Sequence, residues 1–215
     1  MIGTQRLKIL VIDDHEVVRR GVKHILKETF PHVEVGEADT GQGGIVAVQQ
    51  EPWDLAIVDI SLPDRSGLEL LCELHSESPQ LCLMVLSLHP EEQYAVRAFR
   101  AGAMAYLTKK TAPEELARAV KQVLSGRMYV TASLGERMAS TLSKNPTGPA
   151  HHTLSEREFE VLVLLAQGQS VKHIAQSLSL SIKTVSTYRA RLQDKLQLTT
   201  TAELIRYALD HHLVE

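Results

Sequence analysis

Five side chains able to handle a phosphoryl group or a hard cation are spread along the first half of the 215-residue chain: Asp13, Asp14, Asp59, Ser87 and Lys109. Three carboxylates brought together repel one another unless a cation sits among them. Oxygen ligands with no His or Cys at the same strand ends favour a hard ion. Mg²⁺ suits because it keeps waters and binds phosphate beside one or two carboxylates. The ammonium of Lys109 would balance incoming negative charge and Ser87 would donate a hydrogen bond. The chemistry so assembled is phosphoryl transfer onto a carboxylate, with an Asp attacking in line.

These residues can meet only if the chain between them folds to bring them together, and its patterning says how. Residues 8 to 126 alternate short Ile, Leu and Val runs with amphipathic stretches, which predicts five buried parallel strands wound with helices. The strands are expected at 8–13, 33–38, 55–59, 81–86 and 105–108. Helices are expected at 15–29, 67–77, 91–101 and 113–125, and another follows Thr40. That helix opens with Gly41, Gly43 and Gly44, so a loose first turn is expected, since each interior glycine costs roughly 1 kcal/mol against alanine. Gly-Gln-Gly-Gly lacks the spacing of a phosphate loop and reads as a plain turn. In a doubly wound sheet the carboxyl ends of the strands form the ligand crevice. Asp13 and Asp14 end the first strand, Asp59 ends the third, Ser87 follows the fourth and Lys109 follows the fifth. Any one Asp at a strand end is equally a turn former. A turn former, however, needs no Lys or Ser partner at matching ends. Trp53 is expected to pack at the amino end of the sheet, away from the crevice.

Beyond Gly126 the pattern changes. Residues 132–142 could form one isolated helix, and 143–152 carries Asn145, Pro146, Gly148 and Pro149, the composition of a linker. From Leu154 onward only helical periodicity remains, in four short segments. Ser155 with Glu158 and Thr200 with Glu203 read as capping boxes, and Ser170 and Ser181 as N-caps. The middle pair, joined through 179–181, is a helix-turn-helix. On a helical wheel, Ile182, Val185, Tyr188, Leu192 and Leu196 share an apolar arc that should pack. The opposite arc holds Lys183, Thr187, Ala190, Arg191 and Asp194, edged by Thr184 and Ser186, a mix suited to a major groove. An ordinary solvated face would look similar. Arg189 falls near the apolar arc, its guanidinium free to reach a phosphate or a neighbouring acid. Lys172 and Lys195 read as phosphate contacts, which position without reading sequence.

Hydrophobic residues make up 44% of the chain and charged residues 23%, which excludes disordered, collagenous and disulfide-dense classes. No apolar run approaches the roughly 20 residues of a membrane span, and a cytoplasmic protein without membrane contact is expected. Cys72 and Cys82, each within an apolar run, are expected to be buried thiols. Lys plus Arg against Asp plus Glu stands at 14 to 18 over residues 1–130 and 7 to 7 over 153–215. Any nucleic-acid contact must therefore come from one face rather than from bulk charge. The pairs His151-His152 and His211-His212 lack a visible partner cluster and read as structural.

Ile12-Asp13-Asp14-His15, Asp59-Ile60-Ser61-Leu62-Pro63 with Gly67, Ser87, Tyr106 and Lys109 with Pro113 resemble a response-regulator receiver domain over residues 6–127. The resemblance implies a flavodoxin-like fold and Asp59 as phosphoacceptor. It also implies Asp14, Asp59 and the Ser61 backbone carbonyl as direct Mg²⁺ ligands, Asp13 acting through water, and a sensor histidine kinase as donor. Ser87 and Tyr106 would be the switch pair. By itself, Tyr106 is as readily a half-buried strand aromatic whose hydroxyl finds water. Leu154 to Leu162, Ala166-Gln-Gly168, Lys172-His-Ile-Ala175 and Thr184-Val-Ser-Thr-Tyr-Arg189 followed by Lys195-Leu196 resemble the LuxR-type helix-turn-helix over 153–213. Together the halves resemble a NarL/FixJ-family transcriptional response regulator, with 128–152 as linker and RNA polymerase, double-stranded DNA and a second copy of the chain as implied partners. Where many members carry Lys after Thr-Val and His two further on, this chain has Ser186 and Tyr188, as in a subgroup near the BvgA type. Base readout must then lean on Lys183, Thr187 or Arg191. Val171 and His173 replace the frequent Asn and Glu.

A phosphohydrolase of the haloacid-dehalogenase type also pairs an Asp nucleophile with Mg²⁺ and Lys. It would want a general-acid carboxylate two residues after the nucleophile, where this chain has Ser61. A further alternative is a receiver that serves as an interaction scaffold while DNA binding ignores phosphate. The leading expectation is a phosphorylation-dependent DNA-binding regulator rather than an enzyme: an α/β domain followed by an all-α one.

Overall fold

The structure, a computed structural model, describes residues 6–131, 134–135, 150–178, 180–211 and 213–214. The chain divides into two compact units, Met1–Arg137 and Met138–Glu215. In the first, strands and helices alternate: β1 (Lys8–Ile12), α1 (Glu16–Thr29), β2 (Glu34–Ala38), α2 (Gly41–Gln50), β3 (Leu55–Val58), α3 (Gly67–Glu77), β4 (Cys82–Ser87), α4 (Glu91–Arg100), β5 (Ala105–Thr108) and α5 (Ala112–Leu124). All strand pairings are parallel, in the order β2-β1-β3-β4-β5. This is the five-stranded, flavodoxin-like doubly wound sheet expected. Because β1 lies between β2 and β3, the winding reverses beside it, and the crevice opens at the carboxyl ends of β1 and β3. Ile9 to Ile12 and Leu55 to Val58 are buried throughout, as apolar strands covered by helices on both faces must be.

The first turn of α2 is not loose. Thr40 Oγ1 accepts from the Gly43 amide at 3.1 Å, and the Asp64 carboxylate accepts from the Gly41 and Gln42 amides, each at 2.8 Å. Burial pushes the Asp64 carboxyl up, but the bonds from Gln42 and Gly41 together outweigh it and hold its pKa below the usual range. The glycines are there for close approach. A Cβ on Gly44 would come within 2.5 Å of Ile12. Trp53 packs as expected, over Gly36 of β2, with Nε1 donating to the Ala47 carbonyl at 3.0 Å. The expected burial of both thiols fails at Cys72, which is exposed, while Cys82 is half-buried. The apolar run around Cys72 is helical, so its neighbours Leu70, Leu71 and Leu74 face the core and Cys72 points outward.

The second unit begins with a 3-10 turn at Ala150–Thr153, followed by α6 (Glu156–Ala166), α7 (Val171–Ser177), α8 (Ile182–Leu196) and α9 (Thr201–Asp210). Both capping boxes form, and Ser170 and Ser181 cap α7 and α8. Phe159, Leu162, Ile174, Val185, Leu192, Leu204 and Ala208 close the core. Ile182 departs from the expected packing arc and is 54% exposed. It sits at the edge of that arc in the first helical turn, where no helix among the described residues covers it. His151 and His211, one from each histidine pair, share a partner that the sequence does not show. The His151 ring is buried against Tyr207 and His211, with Nδ1 3.2 Å from the Tyr207 hydroxyl. The expected helix at 132–142, apart from Leu134 and Gly135, and the 143–149 part of the expected linker lie outside the described residues. Among the described residues, no helix is long and apolar enough to cross a membrane.

Candidate functional site

The end of β1 delivers Asp13 and Asp14, and the end of β3 delivers Asp59. Asp13 and Asp59 are each 2% exposed, whereas Asp14 opens to solvent. The loop after β5 carries Lys109, whose amide donates to the Ser87 carbonyl at 2.7 Å and so ties it to the end of β4. Its Nζ lies 2.7 Å from Asp59 Oδ2 and 2.8 Å from Asp13 Oδ2. The Asp59 contact is an aligned hydrogen bond. The Asp13 contact is charge against charge, and Asp13 Oδ2 is a buried oxygen without an aligned donor. Burial raises the Asp59 pKa, opposed by the bond from Lys109, and the two carboxylates keep Lys109 protonated despite the cost of burying it. Gly67 permits this geometry, because a Cβ there would fall 2.0 Å from the Asp59 carbonyl oxygen.

His15, which the sequence places in the Ile12 to His15 motif without a role of its own, is a further neighbour. It stands just beyond the paired acids, which was the available signal. Its Nδ1 lies 2.7 Å from Asp14 Oδ1 and 3.2 Å from Asp13 Oδ1. Ligand atoms of Asp13, Asp14, His15 and Asp59 all fall within 4.8 Å of one another. The expectation that no histidine stands at this strand end is therefore corrected. The deeper part of the crevice, formed by Asp13 and Asp59, still presents carboxylate oxygens, and Asp13 Oδ2, met by the Lys109 charge without an aligned hydrogen bond, fits a hard cation.

Ser87 is fully buried and Tyr106 is 1% exposed, so Tyr106 is not a half-buried strand aromatic. Both grip one residue that the sequence reading missed. Ser87 Oγ accepts from the His89 amide at 3.2 Å, and the Tyr106 hydroxyl donates to the His89 carbonyl at 3.0 Å. Burial raises the Tyr106 pKa far above its ordinary value and keeps the phenol protonated as a donor. The His89 ring lies 3.0 Å from Ser61 Oγ and stacks on Tyr94. Burial, reinforced by the Lys109 charge, lowers its pKa. The Ser61 amide in turn donates to Asp59 Oδ1 at 3.3 Å. A continuous set of contacts thus runs from Asp59 through Ser61 and His89 to Ser87 and Tyr106.

In the second unit, α8 exposes Lys183, Thr187, Ala190, Arg191 and Asp194 on one face, while Thr184, Ser186, Tyr188 and Arg189 are half-buried. Lys172 is exposed on α7. Lys195 is engaged: its Nζ lies 2.7 Å from Glu158 Oε2, the carboxylate that also caps α6 by accepting from the Ser155 amide.

Comparison with known proteins agrees with this geometry. The response regulator receiver domain model matches residues 9–121, and the luxR-family model of bacterial regulatory proteins matches 152–208. The response regulator UvrY of Escherichia coli K12 is 33% identical over 208 residues, covering 96% of this chain and 95% of its own. The transcriptional activator protein ExaE of Pseudomonas putida is 37% identical over 208 residues, covering 96% and 97%. RcsB of Salmonella enterica serovar Typhimurium, solved bound to promoter rprA with the phosphomimetic BeF3-, superposes with a TM-score of 0.65 at 26% identity, covering 94% of this chain and 98% of its own. Two halves matched in order, and relatives matched nearly end to end, make this chain a member of the NarL/FixJ family of two-component response regulators, a receiver joined to a LuxR-type helix-turn-helix.

Proposed function

We propose that the chain is a cytoplasmic transcription regulator whose DNA binding is switched by phosphorylation of Asp59. The receiver would span 6–127, the linker 128–152 and the DNA-reading domain 153–215. The observation that carries this reading is the Lys109 ammonium set between two buried carboxylates, Asp59 and Asp13, beside Asp14. Asp13, Asp14, Asp59 and the Ser61 backbone carbonyl would hold Mg²⁺, which when bound neutralises phosphoryl oxygens. Asp59 attacks the phosphorus of a phosphohistidine on a sensor kinase. The P–N bond breaks, the imidazole leaves with the electron pair, and Asp59 becomes an acyl phosphate. Lys109 then turns from carboxylate partner to phosphoryl partner. Ser87 hydrogen-bonds a phosphoryl oxygen, and movement of its hydroxyl is passed to Tyr106 through the backbone of His89.

DNA binding by α8 is supported by the luxR-type match and by relatives solved on duplexes, two RcsB dimers on two parallel DNAs among them. One helix reads only a few base pairs, and residues 153–215 carry no net positive charge. A pair of chains on two half-sites therefore suits the operator, with RNA polymerase as the further partner. Incubation with acetyl phosphate should label the wild type only with Mg²⁺ present, should leave Asp59→Asn unlabelled, and should strengthen operator binding in the wild type alone. An alkali-labile label on Asp59→Asn would move the nucleophile elsewhere. Operator binding indifferent to the label would favour the scaffold alternative.

A further inference from the structure

We propose that Ile182 is a base-reading residue whose side chain contacts the 5-methyl group of a thymine in each operator half-site; this rests on the DNA-reading role of α8 argued above. Ile182 is 54% exposed and, among the described residues of the second unit, shares the status of exposed large hydrophobic only with Leu209 on α9. Local preference does not account for it. A β-branched side chain loses rotamer freedom in a helix, and an exposed position gains nothing from packing.

Its place in the fold does account for it. Ile182 is the first residue of α8, the second helix of the helix-turn-helix, and the N-terminal residues of such a helix meet base edges in the major groove. At 100° per residue Ile182, Ser186, Ala190, Lys183 and Thr187 fall within an arc of about 140°. Three of the hydroxyls near it, those of Ser181, Thr184 and Thr187, are engaged within the helix. Ser181 Oγ caps the Thr184 amide at 3.0 Å and lies 2.7 Å from Thr184 Oγ1, while Thr187 Oγ1 donates back to the Lys183 carbonyl at 3.0 Å. With its only proton donated to the Lys183 carbonyl, Thr187 offers its methyl group, as Ala190 does, beside an oxygen that can still accept. The base-facing surface of α8 is therefore rich in methyl groups flanked by Lys183 and Arg191. Apolar contact with thymine is the readout such groups can make, because thymine alone presents a methyl in the major groove.

The test uses the full chain, phosphorylated with acetyl phosphate and Mg²⁺, and a duplex that it selects from a random pool. Each thymine of that duplex is replaced in turn by deoxyuridine, which keeps the hydrogen-bonding edge and removes the methyl. At one position per half-site the replacement should weaken wild-type binding about fourfold, the equivalent of one buried methyl group. Ile182→Ala should bind the thymine duplex more weakly and ignore the same replacement. Equal deoxyuridine penalties in wild type and Ile182→Ala, or a wild type indifferent to every replacement, would overturn the assignment while leaving DNA binding intact. A phosphorylated chain that selects no duplex would overturn the DNA-reading role itself, and this assignment with it.

Discussion

Lys195 and Glu158 are joined across the second unit: Nζ lies 2.7 Å from an oxygen of a carboxylate whose side chain is only 3% exposed and which also completes the capping box of α6. The pair fastens the last turn of α8 to the first turn of α6. Read from sequence, Lys195 is a phosphate contact; the structure gives it a partner within its own domain. Glu158→Gln should lower stability by about 1–2 kcal/mol, through loss of a charged hydrogen-bond network at a buried position. Lys195→Ala, whose side chain is 40% exposed, should cost about 1 kcal/mol or less. Denaturant unfolding without DNA measures both.

The same pair sets an acid dependence. Burial raises the Glu158 pKa, but the bond from Lys195 and those from Ser155 outweigh it, so the folded value lies below the ordinary 4.5. A depressed folded pKa contributes stability that is fully present above the unfolded value and is lost as pH falls through the folded one. Wild type should therefore lose stability below about pH 4.5 more steeply than Glu158→Gln. Parallel profiles for the two proteins would remove Glu158 from the acid response.

Lys109 is the cation between Asp13 and Asp59 when no divalent ion is bound. Lys109→Ala should destabilise the receiver by about 3 kcal/mol in metal-free buffer, because two buried carboxylates lose their partner. Saturating Mg²⁺ should restore part of that loss. Urea unfolding with EDTA and with Mg²⁺ checks this, and a loss unchanged by Mg²⁺ would mean that the cation does not enter this crevice.

Ser87 and Tyr106 hold opposite ends of one residue, the amide and the carbonyl of His89. Ser87→Ala and Tyr106→Phe should each leave labelling of Asp59 measurable while weakening its effect on operator binding. The double variant should be no worse than the more damaging single one, since both cut the same linkage. A double-mutant cycle on the phosphorylation-dependent change in operator affinity measures this, and additive losses would assign the two residues to separate routes.

Lys172 is exposed on α7 and, on the proposed DNA-reading role of this unit, would contact backbone phosphate. Lys172→Ala should weaken specific and random duplexes alike and reduce the slope of log K against log salt by about one. Thr187→Ala and Arg191→Ala should act mainly on the selected site. Equal losses on both duplexes for all three would sink the division into positioning and reading faces.

The sequence alone determined what depends on local periodicity and on general rules of topology. Runs of Ile, Leu and Val ending in acids specify buried parallel strands, and a parallel sheet carries its strand ends to one crevice, so Asp13, Asp59, Ser87 and Lys109 could be gathered without coordinates. Capping residues announce helix starts because the bonds they make reach only two or three residues along the chain. Other features were decided by tertiary contacts between residues far apart in sequence. Glu158 claims Lys195 from 37 positions away, and Asp64 reaches back to hold a glycine-rich turn that would be loose in isolation. Ser87 and Tyr106 converge on His89 only once β4 and β5 are paired. Ile182 reads as core because a helical wheel knows its angle but not where the neighbouring helices end. An apolar pattern says which face of a helix is turned inward; only the packed structure shows how far along that face the covering extends.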